Sequence, residues 1–564
     1  MSVQIDTPAL ERSDPTAVRP DRTPPDRTPP ARPEPAHSLR RLRQLGTIGS
    51  AVLVVGGVFA GVPPVNDPVM EAPILERLRE PVAPGVMVVF IGVCMLLLAW
   101  WRLGRLVRQP DGITVRELLG TMAWWAAPML VTSPIFSRDV YSYLAQGMMT
   151  ALGVDAYQHG PALFAWLAVD VPPIWQNTPA PYGPVFLSLA GDVTTFTGES
   201  KWLGFFGMRL LALGGLALMV WAIPRIARAT GVDERAALWL GAVNPLVLIH
   251  LVADSHNDAL MLGLMMAGLA LAVQRRPLAG AVLVTLAALV KAPAALGLVF
   301  IVPMWVTSMT GKARWLRAGA ATVAVTAVTI VATTAIAGTG YGWIGALDTP
   351  TLAHTWTSIT TDLGHWTGLL ADHFGWAKPD QVLAFWRLAG LGAAGIICLL
   401  LLRRYYAHDQ IVGMGLGLAA VLALGPVVHP WYLLWAIVPL AAAATSEKVR
   451  RGVVISSVGM TAVVLPGGVQ PSIPVFLGAG LGAGIVFGTA WAVRNLDRNA
   501  VVESARRALR QMVQREPVAV DAQSADHAGR DGRYHRVMPE LLSGVDVGDV
   551  DLDQGRGEQR ARVP

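Results

Sequence analysis

Apolar residues in this chain gather into long runs, divided by short polar breaks, from residue 47 to residue 493. The runs are 47–65, 84–101, 115–136, 201–223, 236–252, 258–273, 278–292, 293–309, 318–337, 382–402, 409–428, 431–446, 453–470 and 473–493. Runs of this length are helical rather than strand-like, and about 20 apolar residues cross a bilayer. The pattern predicts an all-α polytopic membrane protein with about 14 transmembrane helices. Several runs are shorter than a full crossing, so their ends are set only to within a few residues. The stretch 182–198 would upset the even count, and is expected to be a re-entrant or interfacial helix outside, ahead of the 201–223 span.

Composition agrees. Of 564 residues, 53% are hydrophobic and 15% are charged, whereas a soluble domain carries about 25% charged residues. An ordinary soluble enzyme is excluded. The net charge of +6 falls in short clusters between apolar runs, not on one face as nucleic-acid binding requires. With the N-terminus inside, the inner connections hold Arg102, Arg105, Arg108, Arg225, Arg228, Arg235, Arg275, Arg276, Lys312, Arg314, Arg317, Arg403, Arg404, Lys448, Arg450, Arg451, Arg494 and Arg498. The outer connections hold Arg77, Arg79, Arg138 and Lys378. This asymmetry fits the positive-inside rule with both ends cytosolic.

Residues 1–45, with DRTPPDRTPP at Asp21–Pro30, and residues 497–564 are expected to be largely disordered cytosolic tails. SARRALRQMV at Ser504–Val513 is expected to be a short basic helix in the second. Between them, 46–496 forms the membrane domain, with long outer loops at 66–83, 137–200 and 338–381. Cys94 and Cys398 both lie in apolar runs, which speaks against a disulfide framework or a cysteine metal cluster. There is no GxxxxGK[ST] loop and no dinucleotide fingerprint. Chemistry is therefore expected at the outer surface.

Four polar clusters stand at that surface. Ser137-Arg138-Asp139-Val140-Tyr141-Ser142-Tyr143 follows the 115–136 run directly. An ionisable group at that depth is a functional hypothesis by default. Asp139 suits a general base toward a hydroxyl, Arg138 could hold it or attract a phosphate, and Tyr141 and Tyr143 offer hydroxyls or stacking faces. The alternative is an interfacial belt with an Arg–Asp pair. Downstream, Tyr182 sits in the Pro- and Gly-rich stretch 177–184, where the chain re-enters the membrane.

The second cluster is Asp254-Ser255-His256-Asn257-Asp258. Its side chains could orient acceptor hydroxyls or ligate a divalent ion, and Asn257 or Asp258 could simply cap the next helix. Lys291, midway through an apolar hairpin, must pair or snorkel, or hold a lipid-linked phosphate. His429-Pro430-Trp431-Tyr432 forms another outer turn, with His429 able to donate to a phosphate and Trp431 able to cover a sugar. Arg209, Arg387 and Asp192 are further internal charges that could be paired or lie near helix ends. In loop 338–381, Trp356 or Trp366 could line a groove, and short surface helices are expected.

The elements SRDVYSYLAQG at 137–147, PYGPVF at 181–186, HNDALML at 256–262, LVKAPAAL at 289–296 and HPWYLLW at 429–435 carry a resemblance. The chain resembles the polytopic glycosyltransferases of the C-type fold that use polyprenyl-phosphate sugars. It is most similar to the actinobacterial alpha-1,6-mannosyltransferases that build the mannan core of lipomannan and lipoarabinomannan. The resemblance implies Asp139 as the catalytic carboxylate and strengthens Lys291 at the donor phosphate, where Arg138 and His429 are placed by their own chemistry. Tyr141, Tyr143, Tyr182, Asp254, His256, Asn257, Asp258, Trp431 and Tyr432 are read, from their own chemistry at the outer rim, as substrate-binding. Many C-type enzymes carry adjacent acids where this chain has Arg138-Asp139, which weakens a two-carboxylate metal site. No metal ligands are assigned and no cofactor is firmly implied; a divalent metal is the lesser reading of the 254–258 cluster.

The reaction so implied is inverting transfer of mannose from polyprenyl-phosphomannose to a mannan or mannosylated phosphatidylinositol acceptor. It forms alpha-1,6 linkages on the outer side of the plasma membrane, with membrane lipids as surroundings and no nucleic acid. The donor brings its own leaving group, which suits a chain with no nucleotide site. The rival readings are a polyprenyl-phosphate-pentose (arabinofuranosyl) transferase and a lipid-linked sugar flippase. A transporter would show related halves meeting at midplane, and no internal repeat is evident.

Overall fold

Each of the fourteen apolar runs contains helix, though stretches such as 61–65, 132–136 and 464–470 are turn or irregular, and no strand occurs among the described residues. The structure, a computed structural model, describes residues 35–110, 112–352, 355 and 357–513. The tail readings for 1–34 and 514–564, and the candidate Trp356, lie outside the described residues. The chain divides into two units, Met1–Ala490 and Trp491–Pro564. The second is described to Val513, as part of the helix Ile473–Val513.

Six helices are long and apolar enough to cross a membrane: His37–Ala60, Val82–Val107, Lys201–Thr230, Arg314–Ala337, Pro379–Tyr405 and Ile473–Asn495. A pair bent by 113°, Val247–Ala253 with Asp258–Val273, would make a seventh. Pro277–Ala288, Ala292–Val306, Gln410–Leu424 and Pro430–Ala443 are apolar but shorter. Proline explains much of the shortening, because it removes a backbone donor and clashes with the preceding turn. The 115–136 run is an example: Val115–Ala126 is α-helical, but Pro128 turns Ala127–Val131 into a 3₁₀ segment.

The first helix begins at Pro35, earlier than the apolar run, so 35–45 is helix and not tail. Leu39 and Leu42, three apart and buried, give its first turns an inward stripe. The 182–198 stretch folds as the 14-residue helix Pro184–Thr197, too short to span. Loop 338–381 contains the 3₁₀ segment Gly342–Leu352 and the helix Ile359–His373.

Two close approaches position the site. The helix Asp139–Ala151 packs against Pro184–Thr197 at Gly147, where a Cβ would stand 2.5 Å from the Ala190 carbonyl oxygen. At Gly183 a Cβ would lie 2.2 Å from the Leu289 carbonyl oxygen. Only glycine lets the Tyr182 turn come this near the Lys291 turn.

Behind these turns, the buried Arg209 of helix Lys201–Thr230 ties two chain segments together. Its guanidinium donates to the carbonyls of Leu130 and Thr132 on one side, and of Val252 and Ala253 on the other. Five N–H groups in a fixed fork suit that task. Arg209 is thus satisfied by the main chain inside the bundle. Deeper still, Trp100 and Trp239 stack at 4.8 Å, each indole N–H donating to the other's carbonyl.

Candidate active site

Two unusual pieces of backbone present the 254–258 cluster. Val247–Ala253 is a π-helix, a form concentrated at functional sites, and Ser255 has φ 57°. The left-handed region disfavours a side chain by about 1–2 kcal/mol, so the surroundings must hold it there. Part of that hold is Asp254. Its Oδ1 accepts the N–H groups of Ile135 (2.8 Å) and Phe136 (3.0 Å), which pins the strand of chain leading into Asp139.

Asp139 opens its helix, where the partial positive charge of the N-terminus favours a carboxylate. Its Oδ2 lies 3.4 Å from His256 Nδ1, and its side chain is 23% exposed while that of His256 is fully buried. Burial alone would raise the Asp139 carboxyl, but the His256 hydrogen bond, helped by the charge of Lys291, holds it at about 2. The acid is an anion throughout the physiological range, exposed on one side and braced on the other.

That exposed side meets a cavity of about 220 Å³. Asp139, Tyr182, Lys291, His429 and Tyr432 stand in its lining, as do the apolar Leu391, Val421, Leu422 and Val427. Lys291 Nζ donates to Asp258 Oδ2 at 2.8 Å and lies 4.6 Å from the Tyr432 ring centre. Asp258 Oδ1 accepts the Trp435 indole N–H at 2.6 Å, so one ammonium N–H is engaged and two are left for a ligand. Burial lowers His429 to about 4, against the raising effect of Asp139. It is therefore a neutral hydrogen-bonding group at pH 7, not a cation.

The arrangement offers an anionic base, an ammonium, a neutral imidazole and aromatic faces at one place, beside an apolar wall. Asp139, Tyr182, Lys291, His429 and Tyr432, five of the residues singled out from sequence, share this cavity. Tyr143, His256, Asn257, Asp258 and Trp431 are buried around it. The Tyr143 hydroxyl sits 3.4 Å from His256 Nδ1 and donates to Asn257 Oδ1 at 3.3 Å. Trp431 stacks on His256 at 4.0 Å and on His429 at 4.5 Å, so its ring braces two imidazoles.

Three others point elsewhere. Tyr141 donates to the Val62 carbonyl at 2.7 Å, Asp254 is turned to the backbone of 135–136, and Arg138 is half-buried without a place in the lining. Trp366 is 68% exposed and does not reach the cavity either. Asp192 is exposed, and Arg387 bonds Thr361 Oγ1 and the Thr351 carbonyl. The sequence reading passed over Ser142 and Gln146, which line the cavity. They lie three and seven residues after Asp139, the spacing of one helix face. It also missed His250, whose ligand atom lies within 4.8 Å of those of Asp254 and His256.

A model described as Alpha-(1->6)-mannopyranosyltransferase, N-terminal domain, matches residues 43–307, and the MptB C-terminal domain matches 360–494. The chain is 34% identical over 493 residues to alpha-(1->6)-mannopyranosyltransferase B of Corynebacterium glutamicum, covering 80% of this chain and 81% of that one. It belongs to the alpha-(1->6)-mannopyranosyltransferase family.

Other members of the mannopyranosyltransferase family are equally near. A probable alpha-(1->6)-mannopyranosyltransferase of Mycolicibacterium smegmatis is 37% identical over 460 residues, with 73% of this chain and 80% of that one covered. Alpha-(1->6)-mannopyranosyltransferase A of Mycobacterium tuberculosis is 37% identical over 421 residues, 73% and 81% covered. No solved structure matches. Asp139, His256 and Lys291 fall in the N-terminal match, and His429 and Tyr432 in the C-terminal one. Both parts of a mannopyranosyltransferase chain thus contribute to the same cavity wall.

Proposed function

We propose that this protein transfers mannose from polyprenyl-phosphomannose to a mannan acceptor, forming alpha-1,6 linkages with inversion. The carrying observation is the cavity itself. Asp139 is exposed in it, Lys291 and His429 stand in the same lining, and Leu391, Val421 and Leu422 supply an apolar flank suited to a lipid chain. Membership in the mannopyranosyltransferase family supports the sugar and the linkage.

In this reading the acceptor O6–H gives its proton to Asp139 as O6 bonds to the anomeric carbon. The bond from that carbon to phosphate oxygen breaks on the opposite face, and the polyprenyl phosphate departs with the electron pair. Lys291 and His429 donate hydrogen bonds to the leaving phosphate, stabilising charge that grows in the transition state. Arg138, half-buried beside the site, adds positive potential at its mouth. Tyr182 and Tyr432 hold the sugars. A single base suffices, because phosphate leaves without a general acid.

The reading includes about 14 crossings in a C-type fold, shorter helices serving as thin or broken spans, with the cavity facing the extracytoplasmic side of the plasma membrane. The basic residues gathered in the inner connections support that orientation.

The test presents membranes with radiolabelled polyprenyl-phosphate sugars and a short mannoside acceptor. Mannose should be transferred, and Asp139→Asn should lower the rate by about 10²–10⁴-fold at an unchanged protein level. Retained turnover removes Asp139 as the base. Pentose transfer in place of mannose replaces the donor assignment, and lipid movement across vesicles with no glycoside product replaces the enzyme by a flippase.

A further inference from the structure

Behind Asp139 stands a set of ligand atoms that the transfer reaction leaves unused. His250, Asp254 and His256 each offer one, and the three atoms lie within 4.8 Å of one another. All three residues are fully buried. Neither ring nitrogen of His250 makes a hydrogen bond, and the same holds for His256 Nε2 and Asp254 Oδ2.

His250 Nδ1 and Asp254 Oδ2 have only each other, at 3.3 Å, and the buried Nε2 atoms of His250 and His256 are not left without hydrogen bonds at no cost. Their spacing suggests what satisfies them. His250 Nδ1 is 3.3 Å from Asp254 Oδ2. Two ligands on one zinc ion, with bonds of about 2.0–2.1 Å at a tetrahedral angle, stand roughly 3.4 Å apart.

Neighbouring contacts orient the donors for the same task. The N–H groups of Ile135 and Phe136 occupy Asp254 Oδ1, so Oδ2 is the oxygen turned toward His250. His256 Nδ1 faces Asp139 Oδ2 at 3.4 Å. An imidazole that gives its Nδ1 proton to a carboxylate carries its lone pair on Nε2. This is the arrangement by which outer carboxylates orient metal-bound histidines. Two imidazoles and one carboxylate favour a transition-metal ion over magnesium or calcium, which prefer oxygen.

We propose that His250, Asp254 and His256 bind one divalent transition-metal ion, zinc by the chemistry of the donors. The ion joins the π-helix Val247–Ala253 to the turn that follows it, and fixes the proton of His256 on the nitrogen facing Asp139. It acts as an anchor behind the base, and His256 is a positioning residue. The benefit to transfer rests on Asp139 being the base; the binding of the ion does not.

The experiment measures metal content in the purified full-length chain, so it is independent of sugar transfer. Protein stripped with a chelator is reloaded with zinc, or with cobalt for its visible absorption, and excess ion is removed. Wild type should retain about one ion per chain and give a tetrahedral cobalt spectrum. His250→Leu and His256→Gln should each lose at least nine-tenths of that ion while remaining monodisperse. Asp139→Asn should retain it and lose only transfer. Wild type that neither carries nor takes up a stoichiometric ion overturns the proposal, as do His250→Leu and His256→Gln variants that bind like wild type. If Asp139→Asn keeps both ion and transfer, the reading of Asp139 fails while the metal site stands.

Discussion

The five residues Asp254–Asp258 and the outer loop 338–381 both drew notice for polar and aromatic side chains, yet they behave oppositely. The short turn is buried throughout, and Asp254, His256, Asn257 and Asp258 each reach a named partner. In the long loop, Trp366 and Trp376 are 68% and 74% exposed. Only Leu347 of that loop lines the cavity, among the described residues. Density of polar groups against a bundle marked the site; the number of aromatics did not.

That contrast can be pressed by mutation. Arg209→Met removes four hydrogen bonds into the two ends that frame the turn. Each buried carbonyl left unpaired costs about 1–3 kcal/mol, so this variant should fail to accumulate, as read by fluorescence size-exclusion. Lys291→Met leaves the Asp258 carboxylate buried without its cation. Transfer should persist with the apparent KM for the lipid donor raised by about 10-fold or more, each 1.4 kcal/mol being a factor of ten, and the acceptor KM little changed. An unaltered donor KM would set Lys291 apart from the phosphate.

His429 provides a smaller effect through pH. Its folded value of about 4 lies below the ordinary 6.5, so the unfolded chain takes up a proton first as pH falls. Its contribution to stability is complete above about pH 6.5 and declines toward pH 4. Thermal unfolding of His429→Gln should therefore lose less between these values than wild type does. Trp366→Ala, in the long loop, should change transfer by less than about two-fold, as surface positions usually do. A large loss there would erase the distinction between the two regions. Ser255→Gly should be the mildest: relief of about 1–2 kcal/mol of left-handed strain, offset by glycine's entropy cost of about 0.5–1 kcal/mol, leaves a small gain in melting temperature.

Much of this is legible in the sequence. The positions of the helices followed the apolar runs, and Asp139, Lys291 and His429 were picked from separate stretches that the fold brings into one cavity. What escaped was direction. Tyr141 and Tyr143 are two residues apart on one helix, about 200° around its axis, so they could not share a face. Asp139 carries Tyr143, Ser142 and Gln146 with it, while Tyr141 turns to Val62. Asp254 and Asp258 were equivalent on paper, but one accepts backbone N–H groups and the other holds Lys291. His250 sits inside an apolar run, where the helix around it offered no reason to expect a wide turn. Crossing lengths were blurred for a related reason, since composition records hydrophobicity while prolines such as Pro128 decide where a helix stops.

The guanidinium of Arg209 also bears on how the chain is made. Asp139 leaves the ribosome about 70 residues before Arg209, and nearly 120 before the π-helix and turn that complete the far side of the clamp. Contacts this distant in sequence close late, so the nascent protein inserts its first helices with an unfinished pocket. The cavity wall is complete only once the chain has been made through Tyr432 and Trp435, so its earliest and latest parts meet at the end of synthesis.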